Sequence, residues 1–125
     1  MLGVAEHFAA RGQKNVALCE RGITAPHTHQ VNSRSIMDVQ AIPALNEFAP
    51  TYPVVADPSK STFRREYVPA MTRAAVAAGA DGIIVEIHGQ PEKAWTDPLN
   101  ALTFQGFDKL MNEVRAMEKI VRQEQ

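Results

Sequence analysis

The chain has one cysteine, Cys19, among its 125 residues, so an internal disulfide bond is impossible. It contains no apolar run near the roughly 18 residues that a membrane span needs, and its first residues lack the basic segment of a signal peptide. The net charge is only −1 and the pI is near 6.4. The small net charge argues against nucleic acid and anionic membrane surfaces as partners. The single cysteine favours the cytoplasm.

What the sequence does contain is enough apolar material for a core. Hydrophobic residues make up 45% of the chain. A chain of this length is typical of one domain, and no long linker, low-complexity tract or clear repeat divides it. We therefore expect residues 1–125 to form a single domain.

Helical and strand patterns alternate along the chain. Apolar spacing predicts helices over 2–11, 38–48, 65–78 and 103–123, and strands over 15–19, 52–57 and 82–88. Pro43 is expected to interrupt the second helix. The strands are continuous apolar runs, which is typical of parallel strands covered on both faces. The predicted class is α/β, with about three parallel strands and crossover helices.

Each predicted strand ends in polar residues. The first is followed by Glu20-Arg21-Gly22, the second by Asp57-Pro58-Ser59-Lys60, and the third contains Glu86-Ile87-His88. Ligands of parallel α/β folds bind beyond the carboxyl ends of the strands. We therefore expect these three clusters to converge on one site.

Four cations are candidates for binding a phosphorylated anion: Arg21, Lys60, Arg64 and Arg65. A guanidinium binds phosphate through two parallel hydrogen bonds, and lysine adds a point charge. Surface salt bridges are the alternative for each of them. Arg64 and Arg65 are adjacent at a helix start, so one is expected to face the site and the other to face solvent.

Four carboxylates accompany them: Glu20, Asp57, Glu86 and Asp97. Glu86 lies within "IIVEIH", where an unpaired buried acid would be costly, so it needs a metal, a cation or a proton. The alternative is that it only ends the strand. Asp57 is also compatible with a structural role, accepting backbone N–H bonds in the turn at Pro58.

The remaining candidates carry weaker signals. His27, His29 and His88 are possible metal ligands, although solvated loop histidines are the commoner case. Cys19 has apolar neighbours and is expected in the core. Trp95 is expected to pack under the loop 89–101.

Several stretches together resemble a known family. They are "NVALCERGI", "YPVVADPS", "RREYVPAMTRAAVAAGADGIIVEIH" and "PEKAWTDPLNALTF". They are similar to the C-terminal half of 3-deoxy-7-phosphoheptulonate (DAHP) synthase, in the branch related to 3-deoxy-octulosonate 8-phosphate synthase. The resemblance runs from about residue 2 to residue 115 and rests on the combination of C-E-R-G, D-P-S, R-R and V-E-x-H with a later acid.

The resemblance implies a fold and an activity. The family is a (β/α)8 TIM-type barrel, of which this chain would form a part with about three strands, since a whole barrel needs roughly 250 residues. The family is an aldol-type transferase that condenses phosphoenolpyruvate with erythrose 4-phosphate. This reaction is the first step of the shikimate pathway to the aromatic amino acids.

The resemblance also implies roles for individual residues. Arg21 of "CERG", with Glu20 beside it, and Arg64 of "RR" correspond to the site of the phosphoenolpyruvate phosphate. Asp57 lies in the sugar-phosphate or metal neighbourhood. The catalytic positions that the resemblance implies are those of Asp57 and Lys60.

A divalent metal such as manganese is the cofactor that the resemblance implies. Glu86 and Asp97 match two of its ligands. The family pattern has a metal-binding histidine after D-P-S, where this chain has Lys60, and a protonated ammonium cannot ligate a metal. Phe63 also falls in a stretch that is glycine-rich in the family. We hypothesise that protonated Lys60, between Glu86 and Asp97, substitutes for the charge of the metal.

A partial barrel leaves sheet edges and an apolar face open, and such surfaces favour association. The chain is therefore expected to self-associate or to complement a chain that carries the missing half. The remaining possibility is a truncated product that folds poorly. A non-catalytic module that binds phosphate, or that only mediates interactions, is the alternative to a synthase.

Overall fold

A computed structural model describes residues 1–26 and 35–121, and its centre is a parallel sheet in the order β1-β2-β3. The strands are β1 (Leu18–Glu20), β2 (Val54–Ala56) and β3 (Gly82–Ile83). The helices are α1 (Leu2–Ala9), α2 (Ala41–Phe48), α3 (Pro58–Thr62), α4 (Val68–Ala77) and α5 (Phe104–Val121), and a 3-10 turn covers Pro91–Lys93. The predicted α/β class with three parallel strands is confirmed.

The core has two parts. The larger one joins the sheet to α1, α2 and α4, and its buried members include Ala5, Leu18, Ile42, Val54 and Ala75. The smaller one comprises Val68, Leu102 and Leu110, which join α4 to α5. Fully burying such a side chain contributes about 1.5–3 kcal/mol, so these contacts fix the helices against the sheet. Among the described residues, no helix is both long and apolar enough to cross a membrane.

The prediction that Pro43 interrupts the second helix is wrong. Helix α2 begins at Ala41, so Pro43 lies in its first turn. The N–H groups of a first turn have no partner within the helix, and a proline there removes nothing that the helix needs. The preceding residues, 38–40, remain outside the helix.

The third strand is shorter than predicted. Pairing with β2 covers only Gly82 and Ile83, although the apolar run continues to Ile87. The reason is that β2 ends at Ala56, where the chain turns into α3. Beyond that point no β2 backbone is available, and the Glu86 N–H instead donates to the Ser59 hydroxyl at 3.0 Å.

Helix α3 was not predicted. Asp57 is its N-cap, Pro58 is its first residue, and the Asp57 carboxylate accepts the Lys60 N–H at 2.9 Å. This is the usual arrangement of a helix start, with an acid at the N-cap and proline directly after it. The helix therefore places Lys60 one turn beyond the end of β2.

Trp95 does not pack under its loop as predicted, because its side chain is fully exposed. Within the 3-10 turn of that segment, Pro91 is the buried residue. Two more apolar side chains near the end of the third strand, Ile84 and Ile87, are also exposed.

β1 and β3 are the outer strands of the described sheet. Just beyond β3 the Leu102 N–H donates to the Glu86 carbonyl and the His88 N–H donates to the Leu102 carbonyl, both at 2.9 Å. The open edges expected of a partial barrel stay a prediction.

Candidate functional site

The ends of the strands lie together, as predicted. The Asp57 N–H donates to the Glu20 carbonyl at 2.8 Å, and the Ile84 N–H donates to the Ala56 carbonyl at 2.8 Å. These bonds bring the residues that follow β1, β2 and β3 to one edge of the sheet. Parallel pairing therefore accounts for the convergence that the sequence predicted.

Glu20 is buried at the end of β1, with 3% of its surface exposed. Its Oε1 accepts the N–H of Gly22 at 2.8 Å and that of Asp38 at 3.1 Å. Its Oε2 has no hydrogen-bond partner among the residues that the structure describes. Burial raises the pKa of this carboxyl, although the two N–H bonds oppose the shift. Glu20 thus shapes the turn beneath Arg21 rather than facing a ligand.

Arg21 and Asp57 form a pair at 3.6 Å between Nε and Oδ2. The arginine side chain is 64% exposed, whereas the aspartate is buried. Burial raises the pKa of Asp57, and its bond from the Lys60 N–H and the charge of Arg21 oppose that rise. The structural role considered for Asp57 therefore agrees with its geometry, while Arg21 remains accessible to a ligand.

Lys60 lies between two carboxylates. Its Nζ contacts Glu86 Oε1 at 3.2 Å and also bonds Asp97 Oδ2. The hydrogen bond to Asp97 raises the pKa of Lys60, burial opposes this rise, and Glu86 adds to it. The ammonium is therefore protonated at neutral pH. Of the three partners considered for Glu86, a metal, a cation or a proton, the chain itself supplies a cation.

A cavity of about 400 Å³ is lined by Arg21, Gly22, Lys60, Phe63 and Asp97. Phe63 and Asp97 have positive φ angles of 56° and 54°. The left-handed region is unusual for non-glycine residues, and such outliers cluster at functional sites. Two residues in this region that line the same cavity support its assignment as the site.

A second cavity of about 410 Å³ lies between α4, α5 and the start of β3. It is lined mainly by apolar residues, among them Val76, Met111 and Val114. None of the predicted cations reaches it. We place the functional site at the strand ends because the charged side chains converge there.

The structure does not bring Arg64 to the cavity. Its guanidinium lies over the ring of Tyr67, 4.6 Å from the centroid, and its Nε is 3.7 Å from Glu66. Its neighbour Arg65 donates to the Pro98 carbonyl at 2.8 Å and so supports the loop that carries Asp97. The phosphate-binding role of Arg64 stays a prediction.

The residues present do not fit a divalent metal. Within residues 1–26 and 35–121, no group of three His, Cys, Asp or Glu side chains could hold one. His88 Nδ1 lies 2.7 Å from the carbonyl oxygen of Gln90 and 3.0 Å from its backbone nitrogen. His27 and His29 lie outside the described residues. The lysine ammonium fills the space between the two predicted ligands, Glu86 and Asp97.

Sequence reasoning missed two buried residues that hold this arrangement. The Ser59 hydroxyl accepts the Glu86 N–H, and the Asn100 amide donates to the Ser59 carbonyl at 2.8 Å. Both side chains are fully buried. Together they connect α3, the strand end at Glu86 and the loop after Asp97. A polar residue within a loop pattern gives no sequence signal of such burial.

We expect Asn100→Ala to lower the free energy of unfolding by about 1–3 kcal/mol, because it removes a buried hydrogen bond and leaves a void. Urea denaturation followed by circular dichroism measures this change. The matched control is Asn112→Ala, on an exposed position of α5, which should change stability by no more than about 0.5 kcal/mol. Equal effects of the two variants would contradict the role of Asn100 in connecting α3 to the loop after Asp97.

Comparisons with known proteins agree with the fold. The model of the DAHP synthetase I family matches residues 1–123. Phospho-2-dehydro-3-deoxyheptonate aldolase of Thermotoga maritima is 40% identical over 90% of this chain, and 2-dehydro-3-deoxyphosphooctonate aldolase of Pelobacter propionicus is 32% identical over 98%. The chain spans only 32% and 46% of the lengths of these two relatives.

Solved structures give the same result. The crystal structure of the Thermotoga maritima aldolase, also named DAHP synthase, matches with a TM-score of 0.87 and 38% identity, over 96% of this chain and 34% of that one. A truncated form of 3-deoxy-D-arabino-heptulosonate 7-phosphate synthase from the same organism has a TM-score of 0.85 and 38% identity, over 94% and 43%. The predicted fold, part of a TIM-type barrel, is confirmed.

Proposed function

The chain belongs to the DAHP synthetase I family, and on this premise we propose that it is part of a 3-deoxy-7-phosphoheptulonate synthase. The reaction is the condensation of phosphoenolpyruvate with erythrose 4-phosphate, in the cytoplasm. The chain spans about a third to a half of the length of its curated relatives. The remaining strands therefore have to come from a second copy, from another chain or from further sequence.

One observation carries this proposal: the strand ends bring Arg21 and Lys60 to the same cavity. Two cations that line one cavity suit a small phosphorylated anion. Arg21 is the phosphate ligand of this proposal, because its guanidinium is exposed and its pairing with Asp57 is loose at 3.6 Å. Asp57 and Glu20 hold the backbone around it.

The other residues have supporting roles in the proposed reaction. Lys60 neutralises part of the charge of Glu86 and Asp97 and leaves their remaining oxygens to order water near the attacked carbon. Arg64 is a phosphate ligand only if its stacking on Tyr67 is released. No step passes through a metal, since the residues described above do not fit one.

The second candidate is a non-catalytic module that binds a phosphorylated anion. Lys60 and Phe63 favour it, because each replaces a residue type on which the family pattern depends. Turnover separates the two candidates. A synthase forms its sugar-phosphate product when the missing strands are supplied, whereas a module binds phosphoenolpyruvate without converting it.

We expect Arg21→Ala to weaken phosphoenolpyruvate binding by about 10- to 100-fold, since hydrogen bonds to charged groups contribute about 1.5–3 kcal/mol each. Calorimetric titration of the purified chain measures the affinity, and native mass spectrometry gives the ligand count per chain. The oligomeric state comes from the same spectra.

Arg115→Ala is the matched control, because Arg115 is an exposed arginine of α5 and the substitution changes the net charge equally. Its affinity for phosphoenolpyruvate should equal that of the unmodified chain. Unchanged affinity in Arg21→Ala, with the fold intact by circular dichroism, would refute the assigned phosphate site.

A further inference from the structure

We infer that this site carries its own cation: the Lys60 ammonium occupies the position between Glu86 and Asp97 and makes anion binding independent of a divalent metal. The inference rests on the proposed function for the identity of the anion, phosphoenolpyruvate. The statement about the metal stands on the geometry of the three side chains alone.

The space between the two carboxylates admits only one cation. Nζ of Lys60 is bonded to Asp97 and lies 3.2 Å from Glu86. Oxygen ligands surround divalent cations at about 2.0–2.6 Å, so an ion shared by these carboxylates would occupy the volume that the ammonium fills. A metal can enter only after the Lys60 side chain has left.

The position of the ammonium is built into the fold. Asp57 caps α3, and Asn100 donates to the backbone of Ser59, the residue before Lys60. On the opposite side, Asp97 is held in the left-handed region. An ordinary surface salt bridge has mobile partners and contributes little. Here only 23% of the Lys60 side chain and 17% of the Asp97 side chain are exposed.

The ammonium keeps a donor for a ligand. An ammonium has three N–H groups, and within the described residues Lys60 Nζ bonds two carboxylates. Lys60 also lines the cavity beside Arg21. The third N–H therefore serves an oxyanion in that cavity, together with the Arg21 guanidinium. A divalent cation would neutralise both carboxylates, whereas the ammonium neutralises one, so the bound anion depends strongly on Arg21.

The test titrates Mn²⁺ alone into the purified chain and into Lys60→His, by calorimetry or by electron paramagnetic resonance. We expect weak binding to the unmodified chain and an affinity about tenfold higher or more in Lys60→His, at one ion per chain, because imidazole is a metal ligand. Adding Asp97→Asn to Lys60→His should remove the gain. Lys109→His, on an exposed position of α5, controls for an extra histidine.

Two outcomes would overturn the inference. One is tight Mn²⁺ binding to the unmodified chain, one ion per chain, that Asp97→Asn abolishes. The other is a folded Lys60→His that binds Mn²⁺ no more tightly than the Lys109→His control. If Lys60→His does not fold, Lys60→Ala is titrated instead, and it should also gain affinity because its carboxylates are released.

A second measurement separates this inference from the proposed function. The affinity for phosphoenolpyruvate should be unchanged by EDTA, and a tenfold loss would overturn the metal-independent site. If the chain binds no phosphoenolpyruvate at all, the proposed function fails. In that case, the Mn²⁺ titrations still decide whether Lys60 is the resident cation.

Discussion

Replacing Gly22 by alanine is expected to lower the free energy of unfolding by about 2–4 kcal/mol. Gly22 has a φ of +95°, which an L-residue adopts only with strain. A Cβ atom there would lie 2.8 Å from Ser35 Oγ and 2.9 Å from Ser61 Cα. The hydroxyl can rotate, although it then loses its 2.9 Å bond to the Ser61 carbonyl. The Ser61 backbone belongs to α3 and cannot retreat without moving Lys60.

Gly12→Ala is the matched control. Gly12 also has a positive φ, +81°, but a Cβ atom there would meet nothing within 4 Å. Only the conformational cost remains, about 1–2 kcal/mol. Urea denaturation of both variants therefore separates the strain of the backbone angle from the close approach to α3. A loss in Gly22→Ala no larger than that in Gly12→Ala would contradict the close contact.

The sheet and its functional edge were predictable because they follow from the pattern of apolar runs. Three runs separated by helical segments predict parallel strands, and parallel strands place their carboxyl ends together. The convergence of Arg21, Asp57 and Lys60 at that edge required no further information. The contact of Lys60 with Glu86 and Asp97 was a hypothesis about charge, and the described geometry agrees with it.

Other features depend on contacts that the pattern does not contain. The length of β3 is set by where β2 turns away, not by its own apolar residues. The orientation of Arg64, in the loop between α3 and α4, depends on the ring of Tyr67, the N-cap residue of α4. Helix α3 is different, since aspartate followed by proline is a local start signal that the prediction passed over.

A second large effect is expected at Glu20. Glu20→Ala removes the acceptor of two backbone N–H groups, those of Gly22 and Asp38. A buried donor left without a partner costs about 1–3 kcal/mol, so we expect the free energy of unfolding to fall by about 2–4 kcal/mol. Glu20→Gln keeps a carbonyl oxygen for these bonds and should stay within about 1 kcal/mol of the unmodified chain near pH 5.

The pH dependence of the two chains should differ in a defined direction. Burial raises the pKa of Glu20 in the folded state, and the nearby charges of Asp38 and Asp57 add to the rise. A carboxyl with a raised pKa stabilises the folded state below its unfolded pKa and loses that contribution as the pH rises through the folded value. Asp57 also has a raised pKa and contributes with the same sign. The unmodified chain should therefore lose stability as the pH rises above the ordinary glutamate range.

Glu20→Gln removes only the contribution of Glu20 to this pH dependence. The stability of the variant relative to the unmodified chain should therefore increase over the same rise in pH. Urea denaturation at several pH values measures the difference, and Glu47→Gln, at an exposed position of α2, provides the charge control. A difference that is constant with pH would mean that the pKa of Glu20 is the same in the folded and unfolded chains. A rising difference would mean that the chain keeps a destabilising buried charge beneath Arg21, where its negative field opposes anion binding. The same carboxylate accepts the N–H groups of Gly22 and Asp38 and so shapes the turn that presents the Arg21 guanidinium.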